Sequence, residues 1–335
     1  MTESKQPHDA LFKRTFSQVE HAAAELRAIL PPELVARVDF STLELCPGSY
    51  VDQALAGSQS DLLFSAQLSG KQALFYLLFE HQSTPDRLLT LRLLRYVVRV
   101  LERHVDEAAT VSAALPLPVV VPVVLYHGEV GWSAPTRLED LFDSQLIAEA
   151  GVSELIPRLG FVLDDLSRVS DEELAARALG LLPLLTLWAL RDARNPERLE
   201  RSFARWTDTM AALLEVPDGR EAFRTIFRYI ALVADDSVAA ILSRALESAE
   251  PAIKDTLMTL AEKWKAEGEA RGRAEGKAEG KAEGKAELLR KLLALKFGEL
   301  TEAADQRIAT ASEAELDRYV ERVLTADTLD ALFRG

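Results

Sequence analysis

Apolar residues recur at steps of three and four from Ala10 to Leu30, at Leu11, Phe12, Phe16, Val19, Ala23, Leu26 and Leu30. That period predicts one helix, stopped by Pro31-Pro32. Residues Val38–Leu45 (VDFSTLEL) alternate between apolar and polar side chains, the period of a half-buried strand. Ser60–Leu68 and Ala73–Gln82 flank the turn-like Ser69-Gly70-Lys71-Gln72, so the pair predicts a β-hairpin. Its second arm is apolar almost throughout, as a central strand covered on both faces would be. A helix over Leu88–His104 follows, then an apolar strand at Val119–Tyr126, a turn at His127-Gly128 and a short strand around Phe161–Leu166. Ser170 and Glu173 have capping-box spacing, and from Asp171 the pattern stays helical to about Leu260. The elements predict an α/β domain over residues 1–170 and a helical extension over 171–264.

Residues 265–287 form a four-residue repeat, KAEGEARGRAEGKAEGKAEGKAE, with glycine at 268, 272, 276, 280 and 284. In a helix this register stacks like charges at i, i+4, and each glycine costs about 1 kcal/mol against alanine. Two readings follow: a flexible or weakly helical spacer, or a helix whose glycine edge admits a second helix. Residues 288–335 return to amphipathic helix and read as a small separate module.

Composition narrows the setting. The chain has 335 residues, 48% hydrophobic, enough for two or three cored domains. Cys46 is its one cysteine, which excludes an intramolecular disulfide framework or a cysteine-rich zinc site and fits a reducing cytoplasm. The N-terminal residues lack the apolar stretch of a signal peptide, and no apolar run is long enough to span a bilayer. The expectation is a soluble cytoplasmic protein with no membrane partner. A net charge of −14 speaks against nucleic acid at first sight. The charge is uneven, however: residues 1–110 carry 11 Lys/Arg against 14 Asp/Glu, and the remainder 28 against 39.

The residues able to carry chemistry gather on the hairpin. Asp61 begins one arm, and Glu80 and Gln82, two apart, share a face at the end of the other. Two carboxylates and an amide at one end of a buried sheet are costly to desolvate without a positive charge, and oxygen ligands favour magnesium. Spacing alone also allows a plainer reading, in which Asp61 caps a turn and Glu80 ends a strand in solvent. Asp9 and Lys13 lie at i, i+4 on the first helix, where Lys13 can supply positive charge. Arg92, Arg95, Arg99 and Arg103 form a basic stripe that can track phosphates, although taken alone it reads better as a solvated face. His21 and Glu25 share a helix face with no further ligand nearby, and His81 should point away from Glu80 and Gln82.

The ordered strings PHDALFKRTFS, SDLLFS, LLFEHQSTPD, LRLLRYVVR and VPVVLYHGEVGW resemble the recombination-promoting nuclease and putative transposase family (Rpn, YhgA-like), over residues 7–240. The tail resembles the small domain often appended to these proteins. The resemblance implies a PD-(D/E)XK nuclease core, a mixed sheet flanked by helices. It implies Asp61 as first acid, Glu80 as second, and Gln82 in place of the usual lysine. Asp9 would be an extra acid, and Tyr126 and His127 would either line the site or form a turn with a packed tyrosine. The expected activity is a Mg²⁺-dependent DNA endonuclease, with Mn²⁺ as substitute and little sequence preference, acting in recombination, mobile-element or phage-related DNA processing. In that reading Asp61, Glu80 and Asp9 hold the metal, Gln82 and Lys13 assist, and Arg92, Arg95 and Arg99 hold the DNA backbone. A second reading is a non-catalytic interaction protein on a nuclease scaffold. The acidic helical C-terminal half suits protein partners or self-association.

Overall fold

The computed structural model describes residues 7–46, 61–80, 85–233, 253, 256, 258–259, 285–287, 289–294, 296–298, 300–323 and 328–333. Five strands form one mixed sheet whose spatial order follows the chain: β1 (Val38–Leu45), β2 (Leu62–Leu68), β3 (Lys71–Glu80), β4 (Val119–Tyr126) and β5 (Val162–Asp165). β1, β2 and β3 pair antiparallel, whereas β3, β4 and β5 pair parallel. The predicted hairpin turns at Ser69 and Gly70, with φ of 51° and 77°. Two left-handed residues in a row give a turn whose twist matches that of the strands it joins. β3 is the middle strand, which accounts for its unbroken apolar run. Leu74 and Tyr76 face one side, Ala73 and Phe75 the other, and all four are buried.

The helices around the sheet are α1 (Pro7–Phe16), α2 (Val19–Ile29), the short α3 (Pro32–Val35), α4 (Leu89–Glu107), the short α5 (Val111–Ala114), α6 (Ser144–Ala150), α7 (Asp171–Ala176), α8 (Leu181–Asp192), α9 (Pro196–Glu215) and α10 (Gly219–Val233). α4 connects β3 to β4 and packs Leu89, Leu93, Tyr96 and Val100 against Leu74, Tyr76 and Val124 of the sheet. The segment read as one helix over Ala10–Leu30 is two. Gln18 is extended at the break, and the ring of His21 donates to the carbonyl of Thr15 at 2.9 Å. The two pieces serve different partners: α1 packs on α8 and α10, whereas α2 touches β1 and β5. The apolar period runs on through the break, so periodicity did not reveal it. The capping box at Ser170 and Glu173 is present, with both of its hydrogen bonds.

The chain divides into two compact units, Met1–Leu257 and Met258–Gly335. α8, α9 and α10 belong to the same unit as the sheet. The second unit contains helices Glu302–Ala309, Glu313–Arg322 and Leu329–Phe333. Its core is built from Leu289, Leu293, Ile308, Leu316, Tyr319 and Leu332, among others. Lys285, Ala286 and Glu287, the last residues of the repeat, are helical, and Ala286 is part of that core. The rest of the repeat lies outside the described residues. Among the described residues, no helix is long and apolar enough to cross a membrane.

Candidate active site

The carboxyl ends of the three parallel strands lie side by side: Glu80 is paired with Tyr126, and Tyr126 with Asp165. β2 runs the other way, with Leu62 opposite Leu77, so Asp61 just before it meets the same edge. In sheets of this kind, the crevice beyond the carboxyl ends is where ligands bind.

Asp61 is only 7% exposed. Its Oδ2 accepts a 2.5 Å hydrogen bond from the hydroxyl of Tyr76, which is itself fully buried. Burial, and next the neighbouring Asp61 carboxylate, hold the Tyr76 phenol well above its ordinary pKa. It therefore stays protonated and donates, fixing the orientation of the carboxylate. Arg92, near the start of α4, acts on the same hydroxyl in the opposite sense and pairs with Asp86 at 3.0 Å. Tyr96, one turn further on, lies against Tyr76 with ring centroids 5.4 Å apart.

The other wall comes from α1. The rings of His8 and His127 are 4.9 Å apart, and His8 Nδ1 lies 2.8 Å from the hydroxyl of Tyr229 on α10. His127 in turn donates from Nδ1 to the carbonyl of Leu190 at 3.1 Å, and Arg194 donates to the carbonyl of His127. These contacts anchor the first turn of α1, with its buried Asp9, at the end of β4. Lys13, one turn along, is exposed. Gly128 has a steric role here: a Cβ on it would lie 1.8 Å from the hydroxyl oxygen of Tyr126. Tyr126 is fully buried, edge-on to Trp132, and has nowhere to retreat.

Asp61 and the backbone of Glu80 thus reach one sheet edge, with Asp9 following directly on His8 at the end of β4. The side chain of Glu80, together with His81 and Gln82, lies outside the described residues. Among the described residues, no three His, Cys, Asp or Glu side chains gather as a metal-sized cluster. The arginine stripe of α4 divides: Arg92 neighbours Tyr76, Arg95 is exposed, Arg99 is half-buried, and Arg103 pairs with Glu107 at 2.7 Å.

The family described as "Putative transposase, YhgA-like" matches residues 6–220, a span that includes all five strands, α1 and α4. The chain belongs to this family. It is 31% identical over 274 residues to the "Inactive recombination-promoting nuclease-like protein RpnE" of Escherichia coli K12, covering 80% of this chain and 85% of that one. It is 30% identical over 275 residues to the recombination-promoting nuclease RpnA of the same organism, covering 80% and 86%. A third relative, the recombination-promoting nuclease RpnC, is 33% identical over 187 residues, covering 54% and 58%. No solved structure matches the chain.

Ionic clusters also form here from residues that spacing did not bring together. Arg177, following α7, donates to Glu25 of α2 at 2.8 Å and to both oxygens of Asp164 in β5, at 2.9 and 2.6 Å. Burial first, and Asp164 second, raise the Glu25 carboxyl well above its ordinary range. One signal was available: Glu25 lies among Ala22, Ala23 and Leu26, on the buried face of its helix. At the end of α8, Arg191 pairs with the fully buried Asp192 at 2.7 Å, and Arg198 reaches Asp192 at 3.2 Å.

Proposed function

We propose that the chain is a metal-dependent DNA endonuclease of the PD-(D/E)XK type, hydrolysing phosphodiesters with little sequence preference during recombination, mobile-element or phage-related DNA processing. The observation that carries this reading is Asp61: a buried carboxylate, held by Tyr76, at the sheet edge where β3 ends in Glu80. Family membership supports it, as do the names of RpnA and RpnC.

Carboxylate oxygens suit a hard cation such as Mg²⁺ or Mn²⁺, and Asp61, Glu80 and Asp9 would supply them. The metal, when bound, provides Lewis acidity that makes a water a competent nucleophile and offsets charge on the phosphate oxygens. The hydroxyl of Tyr76 holds Asp61 in one orientation, so ligand geometry needs no rearrangement when substrate arrives. Arg92, beside Tyr76 near the start of α4, would hold the DNA backbone. Gln82 orients the water or the phosphate by hydrogen bonding, and Lys13 adds positive charge that Gln82 lacks.

One observation favours a second reading, a non-catalytic interaction protein on the same scaffold: RpnE is named inactive while sharing 31% identity with this chain. Metal titration separates the two. Wild type should gain about 2.7 kcal/mol of stability at Mg²⁺ or Mn²⁺ concentrations 100-fold above Kd, read as a rise in Tm. Asp61→Asn, which keeps the shape and still accepts from Tyr76, should lose that rise. Wild type with no rise, or a variant with the same rise, gives the scaffold reading precedence.

A further inference from the structure

α4 has a second apolar face that the sheet does not use. Besides the buried Leu89, Leu93, Tyr96, Val97 and Val100, the residues Leu91, Leu94, Val98, Leu101 and Val105 recur at steps of three and four. Leu91 is 45% and Val98 43% exposed. Toward the C-terminal end of the helix, Val98, Leu101 and Val105 line a groove of about 480 Å³ together with Leu117, which precedes β4. Glu102 and Asp106 form the groove's acidic rim. A three-four seam of this length is the pattern that another helix covers.

The charges beside the seam indicate which helix. Arg95 flanks its N-terminal half, and Glu102 and Asp106 flank its C-terminal half; all three are exposed. A helix carrying the complementary order is α4 itself, turned end for end. We propose that α4 pairs antiparallel with α4 of a second copy of this chain, across a two-fold axis near Val98 and Arg99. In that arrangement Arg95 of each copy lies opposite Glu102 of the other, and Leu91 and Leu94 of each cover the groove of the other. The contact is self-complementary, as a two-fold interface must be. A parallel pair would set Arg95 against Arg95, and nucleic acid on this face would meet Glu102 and Asp106. The proposal rests on the fold of α4 and not on the nuclease reading. It also differs from self-association through the C-terminal half.

The test is sedimentation equilibrium on the full chain, comparing wild type, Arg95→Glu, Glu102→Arg and an equimolar mixture of the two variants. Wild type should dimerise. Either substitution places like charges at both symmetric contacts and should weaken the dimer about tenfold or more. The mixture should recover tight pairing, because a copy acidic at both positions faces a copy basic at both, and opposite charges then meet at each contact. Exposed charges on a helix surface leave the fold intact, and recovery on mixing excludes misfolding. A wild type that stays monomeric, single variants that associate as wild type does, or a mixture no tighter than its components would each overturn the proposal.

Discussion

Asp61 and Tyr76 depend on each other. The carboxylate is buried and the phenol is its donor, at 2.5 Å. Tyr76→Phe removes the donor and leaves Oδ2 without that bond, which should cost about 1–3 kcal/mol in urea unfolding. A variant as stable as wild type would mean that Asp61 is held by other groups. The two residues were not equally legible. Hairpin spacing and the strand period were enough to bring Asp61 to the end of β3. Tyr76, inside the run LFYLLF, reads as plain core, and only the register of β2 on β3 sets its hydroxyl against a carboxylate. Gly128 shows the same limit. The YHG string reads as a turn, and its steric dependence on Tyr126 appears only once the ring is seen packed over it.

Between elements, one buried polar link is Arg177, which ties α2 to β5 through Glu25 and Asp164. Two carboxylates share one guanidinium in a buried place, and the Glu25 carboxyl is raised by burial and by Asp164. A group whose folded pKa is raised contributes stability that is fully present below its unfolded value and is lost as pH climbs through the folded value. For Glu25 that loss begins above its ordinary value of 4.5. As pH rises above 4.5, wild type should therefore fall in unfolding midpoint more steeply than Glu25→Gln, whose amide does not ionise. Parallel pH profiles for the two proteins would contradict this account of the link. Period and capping made most elements readable, β4 and the start of α7 among them. The break between α1 and α2 was not, because each half keeps the same apolar spacing while packing on a different layer. The role of Glu25 was hidden for a related reason: helical spacing put it on one face with His21, but the two charges that come to meet it, on Arg177 and Asp164, are distant in sequence.

At the scale of the whole molecule, the first unit contains the sheet, the candidate site and the helices that anchor α1, and the second has a core of its own. The sheet edge formed by Asp61, Glu80 and the ends of β4 and β5 lies within the residues matched by the family. If the edge is a nuclease centre, one carboxylate substitution there should abolish cleavage and leave the fold in place. The direct measurement is conversion of supercoiled plasmid to nicked circles by wild type and Asp61→Ala, with and without Mg²⁺ or Mn²⁺. The expected result is metal-dependent nicking by wild type, reduced more than about 100-fold in the variant, as loss of a direct ligand should exceed loss of its support. Equal nicking by the two proteins, nicking that needs no metal, or no nicking by either would contradict it.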